Sequence, residues 1–345
     1  MLRFDEVLSK ALEEPIDREE ALYLFRETED HACAEELMKT ARSVREKAMG
    51  NVFRWSAGIA SVLRCRLKPL CGYCPYWRGT DKKPLTIPEI LKGVEYIVQH
   101  GIKEFHLSGG TTLRGDGRDM LEIIQAIRHA GYEEQAIDVN CGAAVSLQAL
   151  KEFKQLNVRL VRSVFETVNP EVFKRAKPGD DLDEKKKFAH LIGEAGLEFG
   201  TGIMAGLSPQ ASKYQDYVDF MFHVKTYAHL TSVYVSKFFP VQGIPMEQYP
   251  QCSQWEAARV ISVMRLVLRD IEIGAAAGWE RHEHPTPLLA GSGNRVGGIH
   301  INRAPQYDMT PSHQAHCFYQ DNLEFYDNME DSENHYREFG IRILA

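Results

Sequence analysis

Three cysteines stand within ten residues, in the segment Cys65-Arg66-Leu67-Lys68-Pro69-Leu70-Cys71-Gly72-Tyr73-Cys74-Pro75. The spacing is C-x5-C-x2-C. Thiolates are soft ligands that suit zinc, copper(I) or iron–sulfur clusters. A structural zinc site takes four protein ligands, often as two separate pairs. Here one loop supplies three, with no fourth cysteine or histidine close by in sequence. Three thiolates on a four-iron cluster leave one iron open, and an open metal can bind a reactant directly. Spacing alone fits zinc and iron–sulfur equally. The other four cysteines, Cys33, Cys141, Cys252 and Cys317, are scattered. Seven thiols in a chain of 345 residues are not a disulfide framework if the compartment is reducing.

The elements that must position this loop read as alternating strands and helices. β-like runs occur at Val52–Ala57, Glu104–Leu107, Ile137–Asn140, Val158–Phe165, Glu198–Met204, Ser232–Phe238, Ile271–Ala275 and Val296–Ile299. Amphipathic stretches lie between most of them, at Pro88–Gln99, Met120–His129, Leu147–Gln155, Asp183–Ala195, Tyr214–Tyr227 and Glu256–Leu268. Strand–helix alternation implies a parallel sheet with helical crossovers. Eight units imply an α/β fold of the (β/α)8 TIM-barrel type, with a doubly wound open sheet as the alternative. Before them, Asp17 and Glu20 have capping-box spacing, Asp30 starts another helix, and Gly50 ends it. The expected division is a helical cap over 1–50, the barrel over 51–300 and an extension over 301–345. In such a barrel the chemistry lies beyond the C-terminal ends of the strands. The cysteine loop follows the first strand, and that position favours iron–sulfur over zinc.

Composition narrows the partners. Hydrophobic residues are 44% and the formal net charge is −7, which argues against nonspecific nucleic-acid binding. No apolar run approaches a membrane span of about 20 residues. The start, Met1-Leu2-Arg3-Phe4-Asp5-Glu6, lacks signal-peptide character, so a cytoplasmic location is expected.

With the loop and the alternation in hand, the chain resembles radical S-adenosylmethionine (SAM) enzymes of the biotin synthase-like group, over roughly residues 20–300. The usual loop there is C-x3-C-x2-C. This chain has Leu67 where the first cysteine would stand, and Cys65 two residues earlier. The longer spacing resembles the HmdB group of maturases, associated with the guanylylpyridinol cofactor of [Fe]-hydrogenase. The resemblance implies a [4Fe-4S] cluster on Cys65, Cys71 and Cys74, bound SAM, a small-molecule substrate, and a one-electron donor such as ferredoxin or flavodoxin. It also implies SAM-binding roles for particular residues. Tyr73 lies in the loop. Ser108, Gly109, Gly110 and Thr111 end the second strand, where glycine permits close approach. Glu166 would hold the ribose hydroxyls, Lys185 the carboxylate, and Met204 would line the adenine. Met204 is otherwise an ordinary core residue, and Lys185 a solvated lysine. Asn140 and Cys141 end the third strand, and at least one should face the lumen. Asn140 carries donor and acceptors suited to a polar substrate.

Rival functions are methylornithine synthase-like rearrangement, biotin synthase-like sulfur insertion, and a zinc-stabilised barrel acting as a binding protein. Sulfur insertion needs a second cluster on barrel-strand cysteines, and the second and fifth strands carry none. His282-Glu283-His284 and the stretch His313 to His316 with Cys317 read as solvated loop residues. Gly291-Ser292-Gly293-Asn294 lacks the spacing of a dinucleotide fingerprint.

Overall fold

The structure is a computed structural model, and it describes residues 2–78, 83–142, 145–303 and 317–344. Three helices come first: α1 (Phe4–Ala11), α2 (Arg18–Glu27) and α3 (His31–Met49). The capping box forms: Glu20 N–H donates to Asp17 at 2.9 Å, and Asp17 N–H donates to the Glu20 carboxylate at 2.8 Å. Asp30 caps α3, and Gly50, at φ +68°, ends it.

The alternating region follows as β1 (Phe53–Ile59), α4 (Ile87–Gln99), β2 (Glu104–Ser108), α5 (Arg118–His129), β3 (Ala136–Asn140), α6 (Leu147–Gln155) and β4 (Val158–Arg162). It continues as α7 (Pro170–Ala176), α8 (Leu182–Glu194), β5 (Glu198–Ala205), α9 (Lys213–Val224), β6 (Leu230–Lys237), α10 (Gln254–Leu268), β7 (Glu272–Ala275), α11 (Pro285–Leu289) and β8 (Arg295–Arg303). Then come β9 (Cys317–Gln320), β10 (Leu323–Asp327), α12 (Met329–Glu338) and β11 (Ile343–Leu344). The first helices pack outside this body, α2 on α9 and α3 on α10. The guanidinium of Arg259 on α10 donates to Thr28 Oγ1 at 3.0 Å.

The closed eight-stranded TIM barrel expected from the alternation is not what forms. The sheet is open, with strand order β7-β6-β5-β4-β3-β2-β1-β8-β10-β9 and β11 added beside β1. Strands β1 to β8 are parallel to their neighbours, while β8 and β10 are antiparallel. Two local facts keep the seam between β7 and β8 from zipping. Residues 299–303 of β8 already pair with β10. Nearer the start of β8, a side chain stands where a ladder bond would be: Arg295 N–H donates to the Glu272 carboxylate at 3.1 Å. A Cβ on Gly293 would lie 2.0 Å from that carboxylate, so glycine makes the room.

The curved sheet has a polar concave face. Arg295 on β8 reaches Asp138 on β3 at 3.2 Å and Glu104 on β2 at 2.8 Å, across the intervening strands. Asp138 also accepts from Arg159 at 2.6 and 2.9 Å and from Arg162 at 3.3 Å. Above this floor, on β2, the inward positions are more open than the outward ones. On β2, Phe105 and Leu107 are buried under the helices, while Glu104, His106 and Ser108 are half-buried. A packed barrel lumen would bury the inward residues as well. The interior is therefore a chamber. Gly58 is in register with both His106 and His300, and its missing side chain lets the two imidazoles stand with centroids 5.9 Å apart. Burial and the nearby Arg162 push the His106 pKa down to about 4, so its ring is neutral at physiological pH.

Asp138 neutralises arginines that have little water. Asp138→Leu should destabilise the chain by roughly 3–5 kcal/mol, the cost of a buried charge losing its partner. Equilibrium urea unfolding measures this, and a loss below about 1 kcal/mol would put the network in the class of weak surface pairs.

Candidate active site

The segment after β1 continues alongside the end of β2. Val62 N–H donates to Ser108 O at 3.2 Å, Gly110 N–H to Leu63 O at 2.6 Å, and Arg66 N–H to Thr111 O at 2.9 Å. The approach is close enough that a Cβ on Gly110 would lie 1.9 Å from the Cys65 nitrogen. Cys65 Sγ–H also points at Thr111 O, at 3.6 Å. Ser108 to Thr111 thus dock the first cysteine. Gly109 N–H donates to Asn140 O at 2.9 Å, which ties in the end of β3.

The far limb of the loop is held by other elements. Gly72 N–H donates to Ala176 O at the end of α7, at 2.7 Å, and Gly72 O accepts from Met246 N–H at 3.2 Å. Arg78 gathers the loop from inside: its guanidinium donates to Cys74 O at 3.0 Å, Leu70 O at 3.2 Å and Cys71 O at 2.5 Å. The sequence reading did not single out Arg78. Carbonyl-capping arginines follow no simple periodicity.

All three thiols are free and half-buried. Burial pushes Cys74 up to about 12 and raises Cys71 as well, so neither ionises unaided near neutrality. A bound metal would supply the missing stabilisation of the thiolate. The three sulfurs do not all lie within 4.8 Å of one another. Ligands at the zinc–sulfur distance of about 2.3 Å in a tetrahedron would stand about 3.8 Å apart. The sulfurs as they stand do not form a ready-made zinc tetrahedron.

On the β4–β5 side, Tyr73 O–H donates to Glu166 Oε1 at 3.1 Å. Glu166 stands at φ +64°, a conformation uncommon outside glycine, held by Glu166 N–H to Gly202 O at 2.8 Å and Met204 N–H to Glu166 O at 3.0 Å. Its second oxygen, Oε2, is buried with no hydrogen-bond partner among the described residues. Burial raises the Glu166 pKa, with Lys177 opposing. An orphaned carboxylate oxygen is what a ribose hydroxyl would satisfy, so the residues present fit both a thiolate-bound cluster and SAM.

Lys185 sits differently from a solvated lysine. It is 1% exposed on α8, with Nζ 3.3 Å from Asp180. Burial, then the neighbouring Lys177, lowers its pKa to about 8. Lys177, which the sequence reading missed, pairs with Asp180 at 2.8 Å; burial pulls its pKa down, but Asp180, Cys71 and Glu166 outweigh this and raise it. The structure thus gathers Tyr73, Glu166 and Met204 on one side, and Cys65, Ser108 to Thr111 and Asn140 on the other. Lys185 is buried close enough to the first group to act electrostatically on Glu166 and Cys71. Asn140 has the inward parity of Asp138, whereas Cys141 is 3% exposed with the opposite parity. His282 converges with Glu280 and Glu283. Glu283 is already committed to Lys237, with Nζ 2.6 Å from Oε1. His313 and His316 lie outside the described residues.

A loop that presents three thiols at the mouth of a strand-lined chamber is a candidate metal-cofactor site. The sequence signature of the Radical SAM superfamily matches residues 59–221, from the end of β1 into α9. The protein is a radical SAM enzyme. It is 29% identical over 298 residues to an uncharacterized protein of Methanocaldococcus jannaschii, covering 83% of this chain and 72% of the relative. It is 23% identical over 302 residues to the 7,8-didemethyl-8-hydroxy-5-deazariboflavin synthase of the same organism, covering 80% of each. Its fold is similar to that of methylornithine synthase, with a TM-score of 0.78, 18% identity, and coverage of 99% of this chain and 97% of that one. No described helix is long and apolar enough to cross a membrane.

Glu166 gives a two-sided prediction. A carboxyl whose folded pKa is raised contributes stability at low pH that is lost as pH rises through the folded value, so at pH 7 the ionised group costs stability. Glu166→Gln keeps the Tyr73 acceptor and removes the charge. The melting temperature should rise by roughly 1–2 °C. SAM affinity should fall by roughly 1–3 kcal/mol. Calorimetry and SAM titration measure the pair; a lower melting temperature with unchanged affinity would refute the placement.

Proposed function

We propose that this enzyme carries its cluster on Cys65, Cys71 and Cys74 and acts on a small polar substrate held in the concave chamber, in a methylornithine synthase-like rearrangement. The observation that carries this reading is the placement of the cysteine loop over an open, charge-matched chamber. The sulfur-insertion alternative is less well supported, because the remaining cysteines are scattered. Cys141 and Cys252 are buried at 3% and 4% exposure on separate parts of the chain.

A [4Fe-4S] cluster held by Cys65, Cys71 and Cys74 would supply the electron that reductive cleavage of SAM needs. The chain's own residues do the positioning. Gly110 and Thr111 fix the Cys65 backbone, and Arg78 fixes the backbone at Cys71 and Cys74. Glu166 would accept from the ribose hydroxyls through Oε2 while Tyr73 holds Oε1. Met204, bonded through its N–H to the Glu166 carbonyl, would line the adenine. Lys177 and Lys185, with Asp180 between them, leave a net positive charge behind Cys71 and Glu166 that favours the SAM carboxylate. Asn140, at the inner end of β3, orients the substrate so that the hydrogen to be removed lies within reach; small misplacements there have large rate costs. An external one-electron donor such as ferredoxin or flavodoxin completes the cycle.

The C-x5-C-x2-C spacing favours one second reading, a step in assembly of the [Fe]-hydrogenase guanylylpyridinol cofactor. Product mass separates the two: a rearrangement leaves the mass of the substrate unchanged, and cofactor assembly through added or lost atoms changes it.

The cluster assignment is tested by replacing each cysteine. Cys65→Ala should abolish the SAM-responsive electron paramagnetic resonance signal of the reduced protein as fully as Cys71→Ala or Cys74→Ala. A Cys65→Ala protein that keeps the signal would move the third ligand to one of the scattered cysteines.

A further inference from the structure

The chamber wall contains two buried polar atoms without partners, on residues that face each other across two strands. Asn302 on β8 and Glu324 on β10 are directly opposite in the antiparallel ladder, so their side chains share a face. The next pair along, His300 and Tyr326, shows which face this is: the His300 ring meets the His106 ring of β2 at 5.9 Å on the chamber side. Asn302 is 0% and Glu324 3% exposed.

Each side chain is anchored at one end. Tyr76 O–H donates to Asn302 Oδ1 at 2.7 Å and is itself bonded to Ser61 Oγ. Because Oδ1 accepts that hydrogen bond, the amide is turned with Nδ2 away from Tyr76. Glu324 Oε1 accepts from Tyr319 O–H at 2.8 Å and from Cys317 Sγ–H at 3.4 Å. Asn302 Nδ2 and Glu324 Oε2 are left with no partner among the described residues. A donor and a carboxylate oxygen could satisfy each other, yet these stand apart. Buried polar groups normally find partners, and exceptions demand a reason.

We propose that Asn302 and Glu324 form a substrate-recognition subsite for a protonated amine next to an acceptor oxygen. The ammonium N–H donates to Glu324 Oε2, and the acceptor oxygen receives Asn302 Nδ2–H. The charge of the ligand follows from the surroundings. On the chamber floor, Asp138 and Glu104 are already matched by arginines, whereas Glu324 has an oxygen to spare. Tyr76 connects the subsite to the cysteine loop, two residues beyond Cys74, so the anchored end of the substrate is placed relative to the radical source. This inference rests on reading the concave face as the substrate chamber.

The test is equilibrium binding to the full chain by ligand-observed NMR, with three probes of similar size: L-alaninamide (ammonium and carbonyl), propionamide (neutral donor and acceptor) and propionate (acceptor alone). L-Alaninamide should bind saturably, propionamide more weakly, and propionate not at all. Glu324→Gln, which keeps the Tyr319 acceptor, should weaken L-alaninamide tenfold or more. Asn302→Leu should weaken it several-fold, and it provides a second arm if the first variant does not fold. Equal binding of propionate, no binding of L-alaninamide, or unchanged affinity in both variants would overturn the subsite. The titration uses no reductant. Failure of the radical chemistry, seen as absent 5′-deoxyadenosine in the wild type, is thus a separate result that counts against the proposed function.

Discussion

The close contact between Gly110 and the Cys65 backbone is the constraint on which the rest of the site depends. A side chain at residue 110 would occupy the position of the Cys65 main chain. With none there, the segment after β1 runs on beside the end of β2, held by a short ladder of main-chain bonds. That registers the first cysteine against a rigid strand instead of a free loop. The rest of the loop, from Arg66 to Cys74, can then arch over the β4–β5 end, where Tyr73 meets Glu166 and Gly72 is tied to α7. One loop thus touches both sides of the chamber mouth. Precision in a loop-borne site comes from this kind of support by ordered elements.

The open sheet serves the same arrangement. A closed barrel would spend both edges of β8 on its neighbours. Here the outer half of one edge pairs with β10, which brings Glu324 and Tyr326 to the chamber side. The floor is a charge-compensated network, and the space above it is lined by half-buried polar groups. Interiors filled with branched aliphatic side chains give stability; this one gives up packing near the mouth and keeps room for reactants. The unsatisfied Glu166 Oε2 belongs to the same economy, since strain and orphaned groups cluster where a ligand completes them.

Much of this was legible in the sequence because it is local. Each of the eight β-like runs corresponds to a strand, and α6 spans Leu147–Gln155 as read, because period and caps are properties of neighbouring residues. β4 stops at Arg162 rather than Phe165 because the chain must turn into the positive φ of Glu166. Closure was not legible. Whether β8 pairs with β7 or β10 depends on residues tens of positions apart, and the short runs at Cys317–Gln320 and Leu323–Asp327 carry no mark of a partner. The cysteines could be picked out by type and spacing, and the glycines after β2 and Glu166 by resemblance to a known family. Lys177, Arg78 and Asn302 could not, because their significance comes from burial and from partners on other elements. Lys185 looked like one lysine in a basic run, and only its contact with Asp180 sets it apart.

The most direct measurement is metal and sulfide content after anaerobic purification. The account predicts about four irons with matching acid-labile sulfide per chain, the complement of a cluster with one iron left open. One zinc per chain with no sulfide would contradict it and leave the cysteine loop as a structural metal site.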